Sequence, residues 1–125
     1  VLAADTLVFL DGKALGKPRD GREAAQMLAA LSGRAHEVLT GMCLLDAETG
    51  ARWERCDRAV IHFGDLTKEE IEEYVATGEP LDKAGAYGIQ GLGGALVRRI
   101  EGDYYATVGL SLYGLRALLR EAGLR

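Results

Sequence analysis

The sequence predicts an α/β domain with a mixed, largely antiparallel sheet and flanking helices. Three observations carry this. Residues 36–46 ("HEVLTGMCLLD") and 51–63 ("ARWERCDRAVIHF") alternate with period two on either side of the turn "AETG", the pattern of a long antiparallel pair. Two further segments carry helix start signals, Asp20 before an apolar stripe and Thr67 with Glu70 three residues on. Strands and helices intermix without a strict βαβ rhythm, so a purely parallel sheet is not expected. With 125 residues and 48 % hydrophobic content, the chain suits one domain, residues 1–125, that needs no cross-link.

The elements follow in order. Leu7 to Leu10 is an apolar strand, and "DGK" at Asp11 to Lys13 turns it into a short return through Leu15. "GKPRD" is a loop, because Pro18 lacks an N–H and holds Lys17 extended. Asp20 caps a helix whose apolar face is Ala24, Ala25, Met27, Leu28 and Leu31, with Gly33 at its C′ position. On the first long strand Val38, Thr40, Met42 and Leu44 share a face; on the second Trp53, Arg55, Asp57, Ala59 and Ile61 do. "TKEEIEEYVATG" is a helix ending near Gly78, with Ile71, Tyr74 and Val75 inward and Glu69, Glu70, Glu72 and Glu73 as a solvated face. "ALVRRIEGDYYATVGL" reads as two strands around Glu101–Gly102–Asp103. "LYGLRALLREAG" is a closing helix with Leu112, Leu115, Leu118 and Leu119 inward.

Composition excludes several classes of function. A net charge of −4 argues against a nucleic-acid polymer as main partner, which needs clustered positive charge. It leaves room for a small phosphate ligand, for which a few local donors suffice. No apolar run approaches the roughly 20 residues of a membrane span, and no signal-peptide pattern opens the chain. Cys43 and Cys56 lie far apart without metal-ligand spacing and read as free, largely buried thiols suited to a reducing cytoplasm. His36 and His62 both fall in strands with no nucleophile at an informative spacing, which favours structural or surface roles. "VLAADTLVFL" opens without Met and goes straight into an apolar strand, so earlier chain is expected to be absent.

Chemistry concentrates in three places. Asp5 before an apolar strand is either a solvated strand end or else a metal ligand or a general base, and Thr6 either a strand residue or a ligand-facing hydroxyl. Lys17 is fixed before a proline and has the compact charge that neutralises phosphate, although most loop lysines are merely solvated. "TGEPLDKAGAYGIQGLGG" (residues 77–94) combines an acid–base pair, Asp82 and Lys83, a lone amide, Gln90, and glycines that allow close backbone approach. It is neither a phosphate-binding Walker loop nor a dinucleotide fingerprint. It is either a tight loop under the sheet or a wall whose amides and Gln90 read a polar ligand edge.

Together, "ADT", "GKPRD…AAQML..LSG..H.V.TG", "TGEPLDKAGAYGIQGLGG" and "I.GDYY.TVGL", in this order over nearly the whole chain, resemble the Maf family of nucleotide pyrophosphatases. The form "DKAGAYGIQG" resembles the branch acting on dTTP and UTP. The resemblance implies a fold related to the inosine-triphosphate pyrophosphatases, two lobes around a cleft, and cleavage between the α- and β-phosphates to a nucleoside monophosphate and pyrophosphate. Asp5 matches the family's proton acceptor close to the metal. Thr6 and Gln90 match positions tied to pyrimidine choice, Lys17 matches a lysine at the phosphate end, and Asp82 and Lys83 match an acid–lysine pair in the cleft. A divalent metal, Mg²⁺, and a homodimer are implied in the same way.

This sequence departs from the family pattern twice. The Ser-x-Ser-Pro-Arg-Arg phosphate loop and the metal-binding Glu that follows it lie outside these residues. Ser111 stands where the family has Pro, which is expected to loosen one loop. The alternative function, in keeping with the family's link to cell division, is a nucleotide-binding or regulatory module without catalysis.

Overall fold

The computed structural model describes residues 1–124. Five strands, β1 (Leu2–Leu10), β2 (Lys13–Leu15), β3 (Ala35–Leu45), β4 (Arg52–Phe63) and β5 (Val97–Gly102), form one sheet in the order β2-β1-β3-β4-β5. Every pairing is antiparallel, so the expected mixture contains no parallel pair among the described residues. The β1–β2 hairpin turns on Asp11 and Gly12, both at positive φ (52° and 78°), the conformation whose twist matches the flanking strands.

Among the described residues four helices accompany the sheet: α1 (Gly21–Leu31), α2 (Lys68–Ala76), the single turn α3 (Tyr104–Thr107) and α4 (Leu112–Glu121). The start signals act as expected. The Asp20 carboxylate accepts from the Glu23 amide at 2.9 Å. Thr67 and Glu70 exchange both bonds of a capping box, at 3.1 and 2.9 Å. Between α2 and β5 the chain makes three short 3-10 turns, Glu79–Asp82, Ala84–Ala86 and Leu92–Leu96.

The sheet buries one face. The β1–β3–β4 register aligns Val8, Val38 and Ala59, then Thr6, Thr40 and Asp57. At one end α1 and α2 cover this face, and Leu28, Leu31, Ile71 and Tyr74 pack with Val38, Ile61 and Phe63. At the other end α3 and α4 cover it, around Met42, Asp57, Ala106 and Leu118. The opposite face is largely solvated, as the alternation of Glu37, Glu54 and Arg58 requires. His36 is buried at the first end, its Nε2 2.7 Å from the Tyr87 hydroxyl and its ring edge-on to Phe63 and Tyr87. Burial, with a smaller contribution from His62, lowers its pKa to about 4, so it is neutral near pH 7.

Four expectations are corrected. Residues 97–110 contain one strand, not two: Asp103 accepts from the Tyr105 amide at 2.9 Å and starts α3, which overrides the strand propensity of Tyr-Tyr-Ala-Thr-Val. In α4, Leu118 is buried and Leu115 and Leu119 are half-buried, but Leu112 is exposed. The helix turns Ser111, Gly114 and Leu118 to the sheet instead, because a side chain at 114 would run into Asp57, Met42 and Arg55. The thiols are free, but Cys56 is exposed and Cys43 half-buried, since both point to the solvated face. Ser111 does not loosen its loop. Its hydroxyl donates to Asp103 and accepts from the Gly114 amide at 3.0 Å, capping α4 while fully buried.

Candidate functional site

Between the two helix groups the buried face of the sheet opens into a cleft of about 590 Å³. Its floor is Thr6, Val8 and Val38. One wall is the segment 79–91, contributing Glu79, Asp82, Lys83, Tyr87 and Gln90, and the other is residues 107–109 at the end of α3. The size is in the range of small-ligand sites.

Four expected site residues therefore lie along one cleft: Thr6, Asp82, Lys83 and Gln90. Lys83 Nζ binds Asp82 Oδ1 at 2.9 Å. This bond and the Lys83 charge hold Asp82 below the usual carboxylate range, with a smaller contribution from Lys17. Lys17 is exposed and does not line the cleft, but its loop is tied to the wall by the Gly85 amide donating to the Gly16 carbonyl at 3.1 Å. Lys17 and Lys83 thus bring positive charge to the same carboxylate. Asp5 stands apart. It is exposed, on the opposite pleat from Thr6, and its Oδ1 accepts from the Thr6 amide at 3.0 Å.

Glu79, which sequence reading passed over, organises the wall. Its carboxylate accepts from the Leu92 and Gly93 amides, both at 2.9 Å, and from the Tyr74 hydroxyl. Tyr74 in turn accepts from the Gly88 amide at 3.0 Å. The loop bearing Gln90 is pinned on both sides, at Gly88 and at 92–93. Burial pushes the Glu79 pKa up, but the bonds from Tyr74, Gly93 and Leu92 and the charge of Lys83 outweigh it, and the net shift is down. Burial and the bond to Glu79 raise Tyr74, which stays protonated as a donor.

This clamp explains the glycines. A methyl at 91 would overlap the Glu79 carboxylate, and one at 93 would stand 2.6 Å from the Tyr74 hydroxyl and 2.7 Å from the Gly88 carbonyl. The clue in the sequence was the spacing from "GEP" to "GLGG", which carries no recognised pattern.

A family model described as Maf-like protein matches residues 1–122. The chain belongs to the Maf family. Relatives named dTTP/UTP pyrophosphatase include those of Moorella thermoacetica, 55 % identical over 95 % of this chain and 61 % of the relative, and Symbiobacterium thermophilum, 52 % identical over 98 % and 62 %. A third, from Bacillus cytotoxicus, is 50 % identical over 97 % of this chain and 62 % of its own length. The Maf chain described here thus spans about six-tenths of the curated relatives it matches.

No helix among the described residues is long and apolar enough to cross a membrane. Nor do they contain a group of three or more His, Cys, Asp or Glu side chains placed to hold a metal. Glu79 is committed to three donors and Asp82 to Lys83. Asp5, bonded to the Thr6 amide alone, and Asp82 keep carboxylate oxygens to spare, which suits Mg²⁺ as it commonly binds beside phosphates, through one or two carboxylates with substrate oxygens completing its shell.

Proposed function

We propose that this Maf chain forms part of a nucleoside triphosphate pyrophosphatase acting on dTTP and UTP, with the triphosphate and base in the cleft described. The single observation that carries the reading is the convergence of Thr6, Asp82, Lys83 and Gln90 on that cleft, in a chain half or more identical to relatives named for this activity. The relatives' names favour it over a purely regulatory module. The two-lobed arrangement, a homodimer and a cytoplasmic setting, which free thiols suit, belong to the same proposal.

In the proposed reaction a water oxygen bonds to phosphorus, the bridge between the α- and β-phosphates breaks, and pyrophosphate leaves with the bridging electron pair. Lys83 and Lys17 share the triphosphate charge, which the chain's net charge of −4 would otherwise repel. Asp82 holds Lys83 in place. Gln90 offers both a donor and an acceptor to the base edge. Asp5 accepts the water's proton and would hold the metal when it is bound. This role rests on its matched position in the family, since it lies outside the cleft's lining. Bound Mg²⁺ would supply charge neutralisation at the phosphoryl oxygens.

Asp5→Asn tests the assignment. Turnover of UTP is expected to fall at least about 100-fold, the scale of general base catalysis, while UTP binding by calorimetry persists. Full activity in Asp5→Asn would remove Asp5 from the mechanism.

A further inference from the structure

Thr40 is fully buried in β3, beneath the cleft floor, and is not among the cleft's lining. Its hydroxyl donates to the Ala106 carbonyl at 2.5 Å. The same oxygen lies 2.9 Å from the hydroxyl of Thr6, a residue that lines the cleft floor. A threonine hydroxyl has one hydrogen and two lone pairs. The carbonyl of Ala106 can only accept, so the Thr40 hydrogen is spent on it. In the bond between the two threonines, Thr6 must then be the donor. What Thr6 has left to show the cleft is lone pairs.

We infer that Thr40 fixes the polarity of Thr6, so that Thr6 presents an acceptor only and selects a base with a ring N–H, uracil or thymine, over cytosine. This rests on the pyrimidine-nucleotide reading above. Uracil and thymine carry a hydrogen on N3, which the Thr6 oxygen accepts. Cytosine carries a lone pair there, which meets the lone pairs of Thr6. Gln90 alone does not provide this discrimination. It is exposed, and among the described residues no side-chain hydrogen bond fixes its amide, so it can rotate to suit either base. The threonine pair cannot adapt without breaking the bond to Ala106, which also ties β3 to α3 at the far wall. Thr40 is a positioning residue acting through Thr6. The same chain makes Thr6 a poor donor to phosphate and assigns it to the base end of the cleft.

The test measures UTP and CTP affinity by calorimetry on the unaltered protein, Thr40→Val and Thr40→Ser. It adds UTP methylated at N3, measured on the unaltered protein. The unaltered protein is expected to prefer UTP. Thr40→Val frees the Thr6 hydrogen, and the UTP:CTP ratio falls on the order of tenfold, the worth of one hydrogen bond of about 1.4 kcal/mol. Thr40→Ser keeps the relay and the ratio, an outcome that a packing role alone would not single out. N3-methyl-UTP binds at least about tenfold more weakly than UTP. An unchanged ratio in a folded Thr40→Val overturns the inference alone. If Thr40→Val does not fold, the methylated ligand decides: affinity equal to that of UTP overturns the inference. Equal affinity of the unaltered protein for UTP and CTP overturns the base-reading proposal, and the inference with it.

Discussion

Replacing Glu79 by alanine removes one acceptor from three donors at once. The Leu92 amide is exposed and will find water, so its loss costs little. The Gly93 amide and the Tyr74 hydroxyl belong to buried residues, and each left unpaired costs about 1–3 kcal/mol. Solvent reaches one side of the half-buried carboxylate site, which places the total near the lower half of that sum, about 2–4 kcal/mol. For a domain of this size, each kcal/mol corresponds to roughly 3–5 °C, so thermal unfolding is expected to fall by roughly 10 °C. The loop at 88–93 should lose amide-exchange protection before the sheet does, and UTP affinity should weaken because Gln90 is no longer held. The pH dependence has a defined sign. The folded pKa of Glu79 lies below the ordinary glutamate value of 4.5, so the clamp's stabilisation is present above that value and is lost as pH falls through the depressed folded one. A melting temperature within about 2 °C of the unaltered protein, with unchanged exchange at Leu92 and Gly93, would refute the clamp.

Three other perturbations have definite outcomes. Gly91→Ala should imitate Glu79→Ala, because the added methyl displaces the same carboxylate, and a denaturant midpoint equal to the unaltered protein's would contradict this. His36, with a folded pKa of about 4 against 6.5, is neutral in the folded state while the unfolded chain takes up a proton, so stability falls as pH drops from 6.5 towards 4. The difference converts to about 3 kcal/mol at 1.36 kcal/mol per pH unit, and urea midpoints for His36→Gln should lack that part of the slope. Ser111→Ala loses the cap of α4 and one of the two donors to Asp103, which should cost about 1–2 kcal/mol in chemical denaturation, whereas Ser111→Thr should recover most of it.

Legibility in the sequence followed how local each cause was. The β3–β4 pair was readable because period two shows directly in "HEVLTGMCLLD" and its return. The two capped helices were readable because Asp20, Thr67 and Glu70 act within three residues of themselves. Glu79 was not readable. It acts on amides 13 and 14 residues away, and backbone amides have no letter in a sequence. Thr40 reads as an ordinary β-branched strand residue, and only the register that sets it against Thr6 and Ala106 exposes its role. At Ser111 a replaced proline suggests slack, while a buried hydroxyl between two partners removes it. The cleft's composition was legible from family resemblance more than from residue pattern. Composition alone did not bring Thr6 within reach of a segment more than seventy residues later.

A nucleotide panel tests the chemistry of the cleft. Pyrophosphate and orthophosphate release would be measured from dTTP, UTP, CTP, ATP and GTP with Mg²⁺, using this chain and a version extended to the length of its relatives. Pyrophosphate and a nucleoside monophosphate are expected from dTTP and UTP ahead of the others, with the product lost in Lys83→Ala. Orthophosphate as the product, or purine nucleotides hydrolysed as readily as UTP, would contradict it.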